Sequence, residues 1–238
     1  MKPTSSGNRA IEGPEAFRST FGVSRETTQK FETYAALLKK WQKAVQLVAP
    51  STLDVTWSRH FADSAQLAAL APPAARSWLD FGSGAGFPGL VIAILAQDPG
   101  SPLPNVRVIL VESDTRKAAF LREVARQVGV AVDILGTRIE SPTTRAKVGT
   151  VEVVSARALA PLNDLLQLAH PFWQPATVGL FLKGREVEKE VDAARFAWSF
   201  ELELKPSLTD PAARVACVRN LSAVATGART EGKPRDRN

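Results

Sequence analysis

One short stretch, residues 79–89, restricts the fold of this chain more than any other; it reads Leu-Asp-Phe-Gly-Ser-Gly-Ala-Gly-Phe-Pro-Gly. An apolar strand candidate at 78–81 runs directly into three alternating glycines, and a helix candidate at 88–96 follows. A glycine-rich turn between a strand and a helix brings backbone N–H groups and the positive helix end to the carboxyl edge of a sheet. The stretch therefore predicts an α/β fold with a site for a nucleotide-like ligand at that edge.

The chain after Ser77 alternates short apolar strands with helices, which is typical of a mostly parallel sheet covered on both faces. The last two strand candidates are separated by a short turn that contains Pro211. A parallel connection needs a crossover of about a dozen residues, so these two strands are predicted to be antiparallel. The predicted strands are 78–81, 106–111, 131–135, 151–155, 178–183, 200–204 and 214–218, and the predicted helices of this part are 88–96, 115–128, 161–172 and 186–197.

Two helices are predicted ahead of the sheet. Ser24 suits an N-cap, and apolar side chains recur in steps of three and four residues from Phe31 to Val48. A weak capping box at 51–54 begins a second helix that runs to about Leu70.

The chain is predicted to form one domain over residues 14–226. A helical extension at 14–71 precedes an α/β core at 72–226. Residues 1–13 and 227–238 are rich in Gly, Pro, Ser, Thr and charge, and we expect them to be disordered tails.

Composition excludes several classes of function. The 238 residues contain no apolar run of membrane-spanning length, so we expect a soluble, cytoplasmic protein that makes no membrane contact. The single cysteine excludes an intrachain disulfide, and neither of the two histidines has a partner at metal-ligand spacing, so no metal site is expected. The formal charge is +6, but residues 1–25 and residues 227–238 each carry +2 of it. Bulk charge is therefore a weak argument for an RNA partner.

The glycine loop favours a nucleotide-like ligand without a pyrophosphate. The dinucleotide fingerprint G-x-G-x-x-G needs a glycine where Phe87 stands. Glu112 directly follows the second strand, where a carboxylate can accept protons from ribose hydroxyls. Taken singly, Glu112 could be an ordinary loop acid and the glycines a generic tight turn, but their combination in one α/β frame favours a ligand site.

The chain resembles the RsmG (GidB) family of bacterial small-subunit rRNA guanine-N7 methyltransferases over most of residues 31–222. The resemblance rests on the glycine loop, on Trp-Gln-Lys at 41–43, on Trp-Ser-Arg-His-Phe-Ala-Asp-Ser at 57–64 and on Ser-Ala-Arg-Ala-Leu-Ala-Pro-Leu at 155–162. It implies a Rossmann-like class I methyltransferase fold, with a seven-stranded, mostly parallel sheet, a terminal antiparallel hairpin and an N-terminal helical extension. It also implies S-adenosylmethionine as methyl donor, and 16S rRNA or an assembling small ribosomal subunit as partner.

The resemblance also implies a set of cofactor-binding residues. Gly82 and Phe87 would line the methionine and ribose side, Ile139 and Glu140 would meet the adenine, and Arg157 would lie beside the cofactor. The chain departs from the common family pattern at Ile139, where alanine is frequent, and at 41–47, which lack the usual asparagines. The full predicted set is Gly82, Gly84, Phe87, Glu112, Ile139, Glu140 and Arg157.

Guanine N7 carries a lone pair and no proton, so its methylation needs alignment of the reacting atoms but no general base. A catalytic dyad is therefore not expected. Arg157 is a candidate to hold guanine O6 or a phosphate, and the alternative is an ion pair with Asp80 or Glu112. The other substrate-positioning candidates are Arg116, Arg59 and Lys183, whereas a lone helical histidine such as His60 is more often a packing residue.

We expect the protein to be a monomer. Two other functions stay open at this stage. One is a methyltransferase-fold enzyme that acts on a small molecule or a protein. The other is an RNA-binding assembly factor that has lost catalysis, although an intact glycine loop with Glu112, Glu140 and Arg157 argues against such a loss.

Overall fold

The computed structural model describes residues 11–73 and 75–224, and in these ranges the chain forms a seven-stranded sheet flanked by helices. The first five strands pair in parallel, while the last strand runs antiparallel to both of its neighbours. This confirms the predicted mostly parallel sheet with a terminal antiparallel hairpin. The strands are β1 (Ser77–Phe81), β2 (Arg107–Val111), β3 (Asp133–Leu135), β4 (Val153–Arg157), β5 (Val178–Lys183), β6 (Trp198–Pro206) and β7 (Arg214–Ala223).

The strand order β3-β2-β1-β4-β5-β7-β6 reverses direction at β1, which pairs with β2 on one side and with β4 on the other. A crevice forms at such a switch point, outside the carboxyl ends of the strands. The α-helices are α1 (Pro14–Phe21), α2 (Arg25–Trp41), α3 (Asp63–Ala65), α4 (Gly89–Ala96), α5 (Thr115–Val128), α6 (Pro142–Val148), α7 (Leu162–Ala169) and α8 (Val187–Ala194).

Several predicted boundaries are wrong. Strand β4 begins and ends two residues later than predicted, so that Arg157 is its last residue. Strand β3 is confined to Asp133–Leu135, whereas β6 and β7 are longer than their predicted segments. Helix α6 was not predicted, although Ser141 in the N-cap position followed by Pro142 is a typical helix start.

The predicted first helix begins at its expected cap and ends early. Ser24 Oγ accepts a hydrogen bond from the Thr27 N–H at 3.1 Å. Helix α2 ends at Trp41, not near Val48, because the side chain of Gln42 folds the following residues into a loop. Gln42 Oε1 accepts the N–H groups of Leu47 and Val48 at 2.9 and 3.1 Å, and its Nε2 donates to the Val48 carbonyl at 2.8 Å.

The predicted second helix is irregular. It consists of a π-helix at Trp57–Ala62, the single turn α3 and a 3-10 turn at Gln66–Ala69, and a separate 3-10 turn lies at Pro50–Thr52. A π-helical turn is rare and is frequently found at functional sites. Helix α1 precedes these elements and was not predicted.

The helical extension is part of the core. The aromatic side chains of Phe17, Phe31, Tyr34 and Phe61 are fully buried and pack together with the apolar helix α4 on one face of the sheet. Helices α7 and α8 cover the opposite face. Burial of this apolar area is the dominant stabilising contribution and fixes the extension against the sheet.

Most of the two predicted tails, residues 1–10 and 227–238, lies outside the described residues. The part at 11–13 is described, and its Ile11 is buried in the core. In the described part of the chain, no helix is long and apolar enough to cross a membrane.

Candidate functional site

The glycine loop follows β1 with a backbone that favours glycine. Gly82 and Gly84 have φ angles of +65° and +54°, in the left-handed region. A Cβ atom on Gly82 would lie 2.7 Å from Leu159 Cδ1, whereas a Cβ atom on Gly84 would meet only the Gly82 carbonyl oxygen, at 3.8 Å. The Gly84 backbone therefore borders open space that a ligand can fill.

A cavity of about 980 Å³ lies next to this loop, at the carboxyl edge of the sheet. It is bordered by the glycine loop, the ends of β2 and β4, the segment after β3 and the helical extension. All the predicted site residues line this one cavity, namely Arg59, Gly82, Gly84, Phe87, Glu112, Arg116, Ile139, Glu140, Arg157 and Lys183. The roles assigned to them from the sequence stay predictions.

Glu112 is tied to the glycine loop. Its Oε2 accepts the Gly84 N–H at 2.7 Å, and its Oε1 accepts the Asp114 N–H at 2.7 Å. Each carboxylate oxygen keeps a further lone pair, so the group can also accept ribose hydroxyl protons. Together with the open space at Gly84, this carboxylate acceptor fits the ribose of S-adenosylmethionine.

The segment after β3 borders the cavity with Arg138, Ile139 and Glu140. The Ile139 side chain is buried in the core. Thr144, in α6, donates a hydrogen bond to the Arg138 carbonyl at 2.8 Å and fixes this segment. Glu140 is exposed.

Arg157 holds a guanidinium at the centre of the cleft, with 17% of its side chain exposed. Its Nη1 donates to the Arg59 carbonyl at 3.1 Å and to His60 Nδ1 at 3.0 Å, and its Cζ lies 4.7 Å from the centroid of the Phe87 ring. Burial lowers the pKa of Arg157, and the nearby Asp63 carboxylate opposes this shift. The guanidinium stays charged because its unperturbed pKa is far above neutrality.

The structure contains the alternative predicted for Arg157, an ion pair, but its partner is Asp63 and not Asp80 or Glu112. The carboxylate closest to its guanidinium belongs to Asp63, whose Oδ2 lies 3.9 Å from Nη1. Asp80 is fully buried and its Oδ1 accepts a hydrogen bond from Ser155 Oγ at 2.7 Å. Burial raises the pKa of Asp80 to about 6, against the lowering effect of the hydrogen bond from Ser155.

Lys183 is a buried ion-pair residue and not an exposed cation. Its side chain is 8% exposed, and its Nζ lies 2.5 Å from Glu190 Oε2 and donates to the Ala160 carbonyl at 2.9 Å. Glu190 also accepts the Leu162 N–H at 2.7 Å. The Lys183–Glu190 pair thereby fixes the backbone of Ala160 and Leu162, which follow Arg157 in the chain.

Arg116 and Arg59 are the exposed cations among the candidates. The Arg116 side chain is 70% exposed and lies 3.5 Å from Asp114. Arg59 is 47% exposed and lies 3.7 Å from Asp210, in the turn between β6 and β7. Surface pairs of this kind are weak, so both side chains are available to a partner.

Sequence reasoning missed three residues of this cleft. Leu159 is 42% exposed and follows Ala158, which has a φ of +51°. Asp63 Oδ1 accepts hydrogen bonds from Ser207 and Thr209 at 3.2 and 3.0 Å, which ties the extension to the terminal hairpin. Thr52 lies 2.8 Å from His60. Asp63 and Leu159 lie within motifs that carry the family resemblance and Thr52 lies within the predicted capping box, but no local pattern identifies the partners of Asp63, which are more than 140 residues away.

Comparison with known proteins identifies the family. The family model for GidB, rRNA small subunit methyltransferase G, matches residues 27–213. Ribosomal RNA small subunit methyltransferase G of Parvibaculum lavamentivorans is 47% identical, over 91% of this chain and 93% of that protein. The protein of the same name from Rhodospirillum centenum is 51% identical, over 82% and 85%.

A solved structure supports the fold assignment. The O-methyltransferase from Bacillus cereus, in complex with SAH, superposes with a TM-score of 0.53 at 15% identity, over 79% of this chain and 90% of that chain. At this identity the likeness shows the class I methyltransferase fold alone. With the family model and the close relatives, it leads to one conclusion: this chain belongs to the rRNA small subunit methyltransferase G family.

Proposed function

We propose that this protein transfers a methyl group from S-adenosylmethionine to N7 of a guanine in 16S rRNA of the small ribosomal subunit. The observation that carries the proposal is the proximity of the glycine loop and Arg157 in one cleft, with the Arg157 guanidinium 4.7 Å from the ring centroid of Phe87 in that loop. A cofactor site and a group that recognises guanine or phosphate are thereby adjacent. Membership of the family supports the same substrate class.

The cofactor would be held by the loop and the two neighbouring strand ends. We assign Glu112 to the ribose, the backbone of Ile139 and the side chain of Glu140 to the adenine, and Gly82, Gly84 and Phe87 to the methionine and ribose side. When bound, S-adenosylmethionine supplies an electrophilic methyl group on its sulfonium.

The protein's own task is to orient guanine, because N7 attacks with its lone pair and loses no proton. Arg157 uses both Nη1 hydrogens on Arg59 and His60. Among the described residues, no acceptor takes the N–H groups of its Nε and Nη2. A guanidinium can donate to guanine O6, which lies beside N7. Donation to O6 would fix the base while the N7 lone pair stays free.

Exposed cations at the cleft would contact the RNA backbone. We assign this role to Arg59 and Arg116, whose side chains are 47% and 70% exposed. Phosphate contacts of this kind are salt-dependent. Lys183 is left out of this set, because its ammonium group is buried against Glu190.

We assign the activity to one domain over residues 14–226, which consists of the extension at 14–71 and the core at 72–226. Because bacterial ribosomal subunits are in the cytoplasm, we propose that the enzyme acts there. We also propose that it acts as a monomer.

The proposal is tested with purified protein, labelled S-adenosylmethionine and small subunits from a strain that lacks the enzyme. We expect label in guanine of 16S rRNA, and loss of that label with Arg157→Ala. The matched control is Arg126→Ala, because Arg126 is an exposed arginine on α5 that pairs with Glu123 outside the cleft.

Two other outcomes would contradict the proposal, and each would favour a different function. Label on a protein or a small molecule would favour an enzyme with another substrate. Failure to bind S-adenosylmethionine in calorimetry would favour an assembly factor without catalysis.

A further inference from the structure

His60 lies at the contact between the helical extension and the cleft. It belongs to the π-helix Trp57–Ala62, is 5% exposed and stacks on Phe87, with the ring centroids 4.8 Å apart and the planes 16° from parallel. Both ring nitrogens have polar partners. Nδ1 lies 3.0 Å from Arg157 Nη1, and Nε2 lies 2.8 Å from Thr52 Oγ1.

These partners fix one tautomer. A guanidinium can only donate, so His60 Nδ1 has to offer its lone pair to Arg157. The Thr52 hydroxyl already donates its hydrogen to the Ala49 carbonyl at 2.7 Å, so it has to accept from His60 Nε2. Two independent partners thus require a neutral ring that carries its proton on Nε2.

The surroundings of His60 also oppose a second proton. Burial, and then the charges of Arg157 and Arg59, lower the pKa of His60 to about 3. The charged groups that act on the ring are Arg157 on β4 and Arg59 on its own segment, and the Asp63 carboxylate lies 3.9 Å from Arg157 Nη1. A protonated ring would direct an N–H group at Arg157 in place of the lone pair.

We propose that His60 is a positioning residue for the methyl transfer: its neutral ring, fixed by Thr52, accepts one Nη1 hydrogen of Arg157 and aims the remaining guanidinium donors at the substrate. The proposal rests on the function proposed for Arg157. It gives the extension a part in the chemistry, because one end of the hydrogen-bond chain lies in the Pro50–Thr52 turn and the other at the end of β4. Phe87 packs against both His60 and Arg157, so the same contact reaches the glycine loop.

Two substitutions separate positioning from packing. In His60→Asn, the amide oxygen is two bonds from Cβ, as Nδ1 is in histidine, so it can accept from Arg157. In His60→Gln, the amide is three bonds from Cβ, as Nε2 is, so it can reach Thr52 but offers no acceptor at the Nδ1 position. Loss of a hydrogen bond to a charged group predicts a single-turnover rate roughly 10- to 100-fold lower for His60→Gln than for His60→Asn.

The affinity for S-adenosylmethionine, measured by calorimetry, is expected to differ less than about threefold between the two variants, an energy difference below about 0.7 kcal/mol. Equal rates for the two variants would overturn the positioning role. Absence of methylation by the wild-type protein would instead overturn the proposed function.

Nitrogen NMR tests the tautomer without turnover. The chain has two histidines, so the signals that vanish in His60→Asn belong to His60 and the remaining ones to His170. We expect the His60 ring to show protonated Nε2 and unprotonated Nδ1 at both pH 7 and pH 5. A tautomer mixture, or protonation between these values, would overturn the proposal even if the variants fold poorly.

Discussion

Replacement of Gly82 by valine should abolish cofactor binding at a modest cost in stability. At a φ of +65°, an L-residue costs about 1–2 kcal/mol, and more when it is β-branched. The new Cβ would lie 2.7 Å from Leu159 Cδ1, but Leu159 is 42% exposed and can turn away. The valine methyl groups would then occupy the space through which the cofactor approaches the backbone. We expect the affinity to fall at least about 100-fold, equivalent to about 2.8 kcal/mol.

Gly129→Val is the matched control. Gly129 ends α5 with the same φ of +65°, and a Cβ atom there would meet nothing within 4 Å. Both variants should lose similar stability in denaturant unfolding, while only Gly82→Val should lose binding of S-adenosylmethionine in calorimetry. Wild-type affinity in Gly82→Val, or an equal loss in Gly129→Val, would refute the assignment of the loop.

Three further predictions concern the charged groups of the cleft. The folded-state pKa of His60 is about 3 against 6.5 for the free side chain, so its contribution to stability is present above pH 6.5 and is lost as the pH falls toward 3. The free energy of unfolding of the wild type should fall by about 2 kcal/mol between pH 7 and pH 5, and this loss should be absent from His60→Asn. The same pH dependence in both proteins would contradict the prediction. Lys183→Met should leave the half-buried Glu190 carboxylate without its cation and lower the unfolding free energy by about 1–3 kcal/mol in denaturant titrations. No change would show that the Lys183–Glu190 pair is unimportant for stability. Arg116→Ala should reduce the salt dependence of binding to the small subunit by the equivalent of about one phosphate contact. The affinity for S-adenosylmethionine, measured by calorimetry, should not change. An unchanged salt dependence would show that Arg116 does not contact the RNA.

The sequence carried enough local information to predict the sheet and the residues that line the cavity beside the glycine loop. Alternation of strands with helices, the glycines at 82–86 and the short link around Pro211 depend on backbone geometry within a few residues, and the structure agrees with them. Glu112 was found for the same reason, because the carboxyl end of a parallel strand meets the crevice.

The other side of the cleft depends on contacts between distant segments. Lys183 was predicted from the sequence to be a substrate-positioning candidate, and only the fold brings Glu190 and the Ala160 carbonyl to it. His60 was interpreted from the sequence as a packing residue. Its burial agrees with this interpretation, but the interpretation did not include its hydrogen bonds to Thr52 and Arg157. The end of α2 was missed because the Gln42 side chain, and not a glycine or proline, turns the chain.

The most direct test of this account is nucleoside analysis of 16S rRNA after small subunits from a strain without the enzyme have been incubated with the wild-type protein and S-adenosylmethionine. The account predicts that 7-methylguanosine is the new methylated nucleoside, and that it is lost with Gly82→Val and kept with Gly129→Val. A methyl group on a pyrimidine, on an exocyclic amine or on protein in place of guanine N7 would contradict it.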